Sequence, residues 1–202
     1  TLRIEDEKLL GRGEHLFHGE SKASLLYQIN NTQSDSKDEV LKNYITEGDK
    51  NQLISKVKTS DLNNRDQPFS IEYDLQLENT VSSFGDQIYL DLDYYKEFSK
   101  FRFKKERRTD YIFSHKVFFE VKTELTIPEG YTVSELPKGM TAEHKDFSFV
   151  VNYKQEENKI IYHKEISVDQ ALIRKKDFTI WNDYIDQLNE CYQEQLVLEK
   201  KS

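Results

Sequence analysis

The chain has one thiol and five imidazoles with which to do covalent or metal chemistry: Cys191, and His15, His18, His115, His144 and His163. A catalytic thiol needs an electropositive, partly exposed setting with a histidine in reach. Cys191 follows Glu190 and falls late on the apolar stripe of a helical pattern. The local charge raises its pKa and the core hides it, so a packing role is expected. His15 and His18 are three apart, a spacing that suits a metal on a helix but puts them on opposite faces of a strand. Gly11, Gly13 and Gly19 around them favour a strand or loop. There is no HExxH and no paired CxxC, so no metal site is expected and the histidines read as solvated or hydrogen-bonded. Gly11-Arg12-Gly13 lacks the third glycine, the lysine and the following helix of a phosphate loop, and there is no G-x-S-x-G elbow. Asp91/Asp93 and Glu156/Glu157 are candidate glycosidase carboxylates or calcium ligands without EF-hand spacing. Among 37 acidic residues such pairs are expected on solvated faces. No catalytic, cofactor-binding or metal residue is assigned, and the expectation is that the chain is not an enzyme.

The most distinctive charge feature is basic. Lys96, Lys100, Arg102, Lys104, Lys105, Arg107 and Arg108 cluster between Tyr94 and Arg108, interleaved with Phe98, Phe101 and Phe103. Aromatics among cations resemble a nucleic-acid stripe. The same alternation is also strand patterning, rings inward and cations outward, with Phe98 out of register. The strand reading is preferred in so acidic a chain. Lys100, Arg102, Lys104, Arg107 and Arg108 are kept as a candidate surface for docking against an acidic neighbouring domain.

The elements that must position these residues are mostly strands. Ile71, Tyr73, Leu75 and Leu77 alternate with Glu72, Asp74, Gln76 and Glu78. Val117 to Ile127 and Phe147 to Tyr153 repeat the pattern, and Lys159–Ile166 follows the latter after a polar loop of hairpin length, Gln155–Asn158. Period-two alternation buries one face and wets the other, the antiparallel habit. Pro128-Glu129-Gly130 and Pro137-Lys138-Gly139 supply turn chemistry, with proline at the first corner, and bracket a strand over 131–136. Segments 87–92, 53–57 and 196–198 are weaker strands, and Gly11 and Gly13 fit a bend or bulge in an N-terminal hairpin. Ser36 and Glu39 form a capping box before the stripe Val40, Leu41, Tyr44 and Ile45. Residues 22–29 read as a short helix before it. Asp177 is placed to cap a C-terminal helix whose apolar face is Trp181, Tyr184, Ile185, Leu188, Cys191 and Tyr192. The fold class expected is mainly β (α+β). It comprises an antiparallel sheet or sandwich, a C-terminal amphipathic helix and a helical excursion near residues 20–47. Residues 1–202 read as one β-rich unit, divisible near 94–112 into parts 1–93 and 113–202.

Composition bounds the partners. Charged residues make up 33% of the 202 residues, yet 12 Tyr, 12 Phe and a Trp argue for a folded chain. A net charge of −8 disfavours nucleic acid and anionic lipid. No run is apolar enough to span a membrane as a helix. The first residues, Thr-Leu-Arg-Ile-Glu-Asp-Glu-Lys, read as the middle of a longer polypeptide.

The run Leu125-Thr-Ile-Pro-Glu-Gly-Tyr-Thr-Val-Ser-Glu-Leu-Pro137 resembles the signature L-x-I/L-P-x-G-Y-x-V-x-x-L-P. That signature belongs to a C-terminal domain of unknown function found in bacterial exported transglutaminase-like (cysteine-protease-like) proteins. The later order of strand, hairpin, aromatic-rich helix and Gln195-Leu-Val-Leu198 is similar too. Ile71–Leu77 followed by Gly85–Leu90 looks like the segment that joins the catalytic core to this domain. The resemblance covers most of the chain, strongest over 68–200. In such proteins the Cys-His-Asp machinery lies in the central domain, none of whose motifs is present here, so no catalytic residue is carried over. The resemblance implies a non-catalytic accessory β-domain whose partner is the upstream transglutaminase-like domain of the same polypeptide, periplasmic or on the cell surface. It departs from the family at the helix entry, where Arg174-Lys-Lys-Asp177 replaces a Pro- and Glu-rich segment. The alternative is an independent glycan- or peptide-binding β-module.

Overall fold

Strict alternation becomes antiparallel sheet in the computed structural model, which describes residues 1–64 and 66–201. Two compact units divide the chain, Thr1–Val81 and Ser82–Ser202, so the basic segment lies inside the second. Among the described residues, the first unit pairs β1 (Leu2–Glu5), β2 (Lys8–Phe17), β4 (Phe69–Leu77) and β3 (Gln52–Thr59) in that spatial order, all antiparallel. Phe69, Ile71, Tyr73, Leu75 and Leu77 are buried, as the period-two pattern requires. The β1–β2 turn is made by Asp6 and Glu7, both with positive φ. Gly11 and Gly13 are therefore not at the bend but inside β2. A Cβ on Gly13 would fall 2.4 Å from the Tyr73 ring, so glycine is there because a neighbouring ring lies across the strand.

The helical excursion is α1 (Gly19–Asn30) and α2 (Lys37–Thr46). Leu25, Ile29, Leu41 and Ile45 bury its apolar side. The capping box does not form. A 3-10 turn over Ser34–Ser36 runs directly into α2, and Ser36 has helical φ/ψ with no side-chain cap bond. An N-cap needs extended φ/ψ for its side chain to fold back onto the first free N–H groups.

β5 (Val81–Phe84) begins on the last residue of the first unit, and the second unit continues with β6 (Gln87–Leu90) and contains two larger sheets. In one, β10 (Met140–His144), β11 (Phe147–Glu156), β12 (Lys159–Val168) and β8 (Val117–Thr126) are antiparallel neighbours. In the other the order is β5, β6, β14 (Leu196–Lys200), β9 (Tyr131–Glu135). Pro128–Tyr131 carries the chain from β8 to β9. Pro128 accepts from Tyr131 N–H at 3.1 Å, and Gly130 has φ +82°. Proline thus precedes the corner instead of making it, and glycine supplies the left-handed position. A short ribbon pairs β7 (Tyr111–Ile112) with β13 (Leu172–Ile173).

The C-terminal helix is α3 (Phe178–Cys191), and Trp181, Ile185, Leu188 and Cys191 are buried as its stripe predicts, together with Phe178. Trp181 is fully buried and in ring contact with Phe98, Phe101, Phe103, Phe113, Phe147 and Phe149. Asp177 makes no cap bond, for the same reason as Ser36. A 3-10 turn over Lys175–Asp177 leads into the helix.

Candidate functional site

The densest polar arrangement lies on the inner face of β12. Alternation points Ile160, Tyr162, Lys164 and Ile166 inward, and all four are fully buried. A lysine in this row requires partners, because an isolated ammonium in the interior costs several kcal/mol, on the order of a folding free energy. Lys164 Nζ donates to Asp93 Oδ1 at 2.6 Å, to Glu97 Oε2 at 2.8 Å and to the Tyr95 carbonyl. The rings of Phe119 and Tyr192 lie 5.5 and 4.9 Å from it. Tyr162 donates its hydroxyl to Asp93 Oδ2. Two carboxylates and a carbonyl accept from the ammonium, with the Tyr192 hydroxyl a longer fourth contact at 3.4 Å, and one cation faces two carboxylates. Burial pushes the Asp93 and Glu97 carboxyls above their usual range while Lys164 pulls both down. Burial also holds the Tyr153, Tyr162 and Tyr192 phenols protonated. The arrangement clamps residues 93–97 onto β12.

Asp93 is therefore not on a solvated face. Its neighbour Asp91 is half-buried and takes Lys96 Nζ at 2.5 Å, and that ammonium also donates to the Tyr192 carbonyl at 3.0 Å. Glu156, of the other acidic pair, is exposed and pairs with Lys154 at 2.6 Å.

Beyond Glu97 the chain is held by the side chains of α3. Tyr192 donates its hydroxyl to the Glu97 carbonyl at 2.9 Å, Asn189 to Ser99 at 3.0 Å, and Trp181 Nε1 to Phe101 at 2.8 Å. Asn182 both accepts from Phe103 N–H and donates to Phe103 C=O, each at 2.9 Å. Residues 97–103 do not form the expected strand: their alternate carbonyls are satisfied by a helix face, which fills the role of a ladder partner. The in–out alternation survives, with Phe103 buried and Lys100, Arg102 and Lys104 exposed. Phe98 enters out of register through a left-handed residue (φ +58°) and still reaches the Trp181 cluster.

The five residues proposed for docking separate into two groups. Arg102 pairs with Asp186 on α3. Arg107 donates to the Thr109 and Asp110 carbonyls at 3.0 Å each and lies over the Tyr111 ring at 5.1 Å. Lys100, Lys104 and Arg108 are exposed and outside any ion pair among the described residues, as is Lys105 between them. The ribbon that follows exposes two apolar residues directly opposite one another, Ile112 (71%) and Leu172 (42%).

Cys191 is buried, and burial with Glu194 and Glu190 pushes its thiol up to about 11. Burial lowers His15 to about 4, and its ring packs against Phe17 and Tyr73. His18 precedes α1, so the two histidines belong to different elements instead of two faces of one strand. His115 contacts Ser114 at the surface. The remaining two histidines stand among carboxylates: Glu120, His163 and Glu165 form one group of potential ligands, His144, Asp146 and Asp177 the other. In the first group, Glu120 and Glu165 are opposite on β8 and β12, and Glu120 already holds Lys122 at 2.8 Å and His163 at 2.9 Å. The Lys122 hydrogen bond keeps the Glu120 carboxyl below its usual range.

The Lys164 clamp was readable in part from sequence, since the alternation Ile160, Tyr162, Lys164, Ile166 assigns a cation to an apolar row. Its partners carried no signal, being 67 to 71 residues away.

Among the described residues, antiparallel sheets and three helices define a mainly β protein of the α+β kind, which the buried ionic clamp holds together inside its second unit. The chain belongs to the family described as "Domain of Unknown Function with solved-structure structure (DUF3858)", whose model matches residues 86–198, more than half of its length. No curated protein matches the chain, and no solved structure matches it. Among the described residues no helix is long and apolar enough to cross a membrane.

Proposed function

We propose that this chain is a non-catalytic accessory β-domain that follows and packs on a transglutaminase-like catalytic domain in an exported bacterial protein. The observation that carries the reading is the surface around residues 100–112. Lys100, Lys104, Lys105 and Arg108 extend from a segment pinned to α3, and the apolar pair Ile112/Leu172 is exposed on the ribbon that follows. Exposed cations and an exposed apolar pair on neighbouring stretches of the chain suit docking onto an acidic domain, because the charge steers the encounter and the apolar pair gives up water on contact. The resemblance of residues 125–137 to the C-terminal domain of transglutaminase-like proteins is the support for that neighbour and for the exported setting.

The glycan-binding alternative wants a cleft lined by tyrosine or tryptophan. A hollow of about 470 Å³ opens beside the Pro128–Tyr131 turn, and Tyr131 is its one aromatic lining residue, while Trp181 is spent in the core. This favours the accessory role.

The test is cross-linking of the full-length product of the reading frame with an amine-reactive reagent, read by mass spectrometry. Lys100, Lys104 and Lys105 should cross-link to a domain carrying the Cys-His-Asp core, and Ile112→Asp with Leu172→Asp should loosen that association. A reading frame without such a core, or lysines that link only within residues 1–202, overturns the proposal.

A further inference from the structure

The turn between β10 and β11 and the entry of α3 bring together three ligand-type side chains that sequence separates. His144 ends β10, Asp146 lies in the turn, and Asp177 precedes α3. One ligand atom from each lies within 4.8 Å of the other two. Their side chains are only 15%, 18% and 10% exposed. His144 Nε2 stands 4.0 Å from Asp177 Oδ1. The imidazole is set by stacking on Phe147, ring centroids 4.4 Å apart, and the turn is braced from outside by the Tyr184 hydroxyl, which donates to the Glu143 carbonyl at 2.9 Å.

Among the described residues the one lysine or arginine within 4 Å of these carboxylates is Lys145. Lys145 approaches Asp146 Oδ2 only at 3.8 Å, and its side chain is 64% exposed. Asp177 Oδ2 is buried and has no hydrogen-bond partner among the described residues, and the helix it precedes does not use the side chain as a cap. An orphaned carboxylate oxygen is costly, more so when ionised, and a second carboxylate nearby adds repulsion. Oδ1 of the same carboxylate is the atom facing His144, so a cation held by the Asp177 carboxyl relieves both the orphan and the repulsion.

We propose that His144, Asp146 and Asp177 bind a divalent transition metal of the zinc class. One imidazole nitrogen with two carboxylates matches the N/O donor set of such ions, whereas calcium and magnesium take shells of six or more oxygens. Tetrahedral ligands about 2.1 Å from zinc lie roughly 3.4 Å apart, so the 4.0 Å gap between His144 and Asp177 closes by roughly 0.6 Å on binding. Asp146 N–H rests on His144 Nδ1 at 3.3 Å. Coordination through Nε2 moves the ring proton to Nδ1 and gives up that long contact. The fourth position is left for water, and the ion ties the β10–β11 hairpin to the start of α3.

The experiment is a titration of the chelator-stripped, desalted full chain with zinc chloride alone, by calorimetry and thermal unfolding. One saturable site is expected, with a transition that rises about 3–6 °C per tenfold excess of zinc over Kd. His144→Gln and Asp177→Asn should each abolish the heat and the shift while their metal-free unfolding stays cooperative, and Asp146→Asn should weaken binding. His163→Gln should change neither, which separates this site from the Glu120–His163–Glu165 group on the same sheet. Absence of saturable heat overturns the assignment. So does heat that persists in His144→Gln, or heat that disappears in His163→Gln.

Discussion

Asn182 and Phe103 make a two-way bond: the amide side chain accepts from the Phe103 N–H and donates to the Phe103 carbonyl, each at 2.9 Å. A residue on a neighbouring strand does the same with its backbone. Here a helix does it with a side chain, 79 residues away. That substitution lets the basic segment lie extended over α3, with rings inward and cations out, without joining any sheet.

Asn182→Ala should destabilise the second unit by about 1–3 kcal/mol, because it orphans a part-buried donor and acceptor together. Asn182→Asp keeps the acceptor for Phe103 N–H and loses the donor, so it should fall between. Denaturant midpoints measure the cost, and hydrogen exchange at the Phe103 amide should accelerate in the alanine variant more than in the aspartate one. Equal exchange in both would refute the two-way bond.

Lys164→Met is expected to cost about 3–5 kcal/mol, since it leaves Asp93 and Glu97 buried without their cation. Adding Asp93→Asn and Glu97→Gln should recover much of that loss. The two acids also set a pH signature. Their folded pKa values are raised by burial, so they favour the fold below the ordinary carboxylate range, and that favour is lost as pH rises through the raised values. Glu97→Gln should therefore flatten the alkaline side of that window in urea titrations, and an unchanged slope would count against the buried pair.

His15 works in the opposite direction. Burial holds its pKa at about 4 against 6.5 for the free group, so between those values the unfolded chain binds the extra proton. Stability of the first unit should fall as pH drops from about 6.5 to about 4, with a slope of up to about 1.4 kcal/mol per pH unit from this group. His15→Gln should remove that slope relative to the parent. Parallel pH curves for the two proteins would show that the imidazole is not the source.

Cys191 should resist thiol reagents. With its pKa pushed up to about 11 and its side chain buried, the thiolate is less than about one part in a thousand at neutral pH. Labelling with an aromatic disulfide should be slow in buffer and fast in denaturant. Cys191→Ala should lower stability by about 1 kcal/mol and leave the activity of any parent enzyme unchanged. Fast native labelling would contradict the buried assignment.

Sequence alone determined the pieces whose signal is local. Period-two runs such as Ile71–Leu77 and Phe147–Tyr153 located strands, the 3/4 spacing of Trp181, Ile185, Leu188 and Cys191 located α3 and its buried face, and the same spacing explained the thiol. Each of those signals is complete within one element, because burial of one face repeats with the element's own period. Capping does not follow from the local pattern at Ser36 and Asp177, where 3-10 turns replace the extended cap geometry.

Which polar groups meet is settled by long-range packing. Lys164 reaches Asp93 and Glu97, Asn182 reaches Phe103, and His144 reaches Asp177 across separations that no periodicity encodes. A buried charge is satisfied by whatever the packing brings within about 3 Å, and that is set by how sheets and helix close on one another and not by neighbours along the chain.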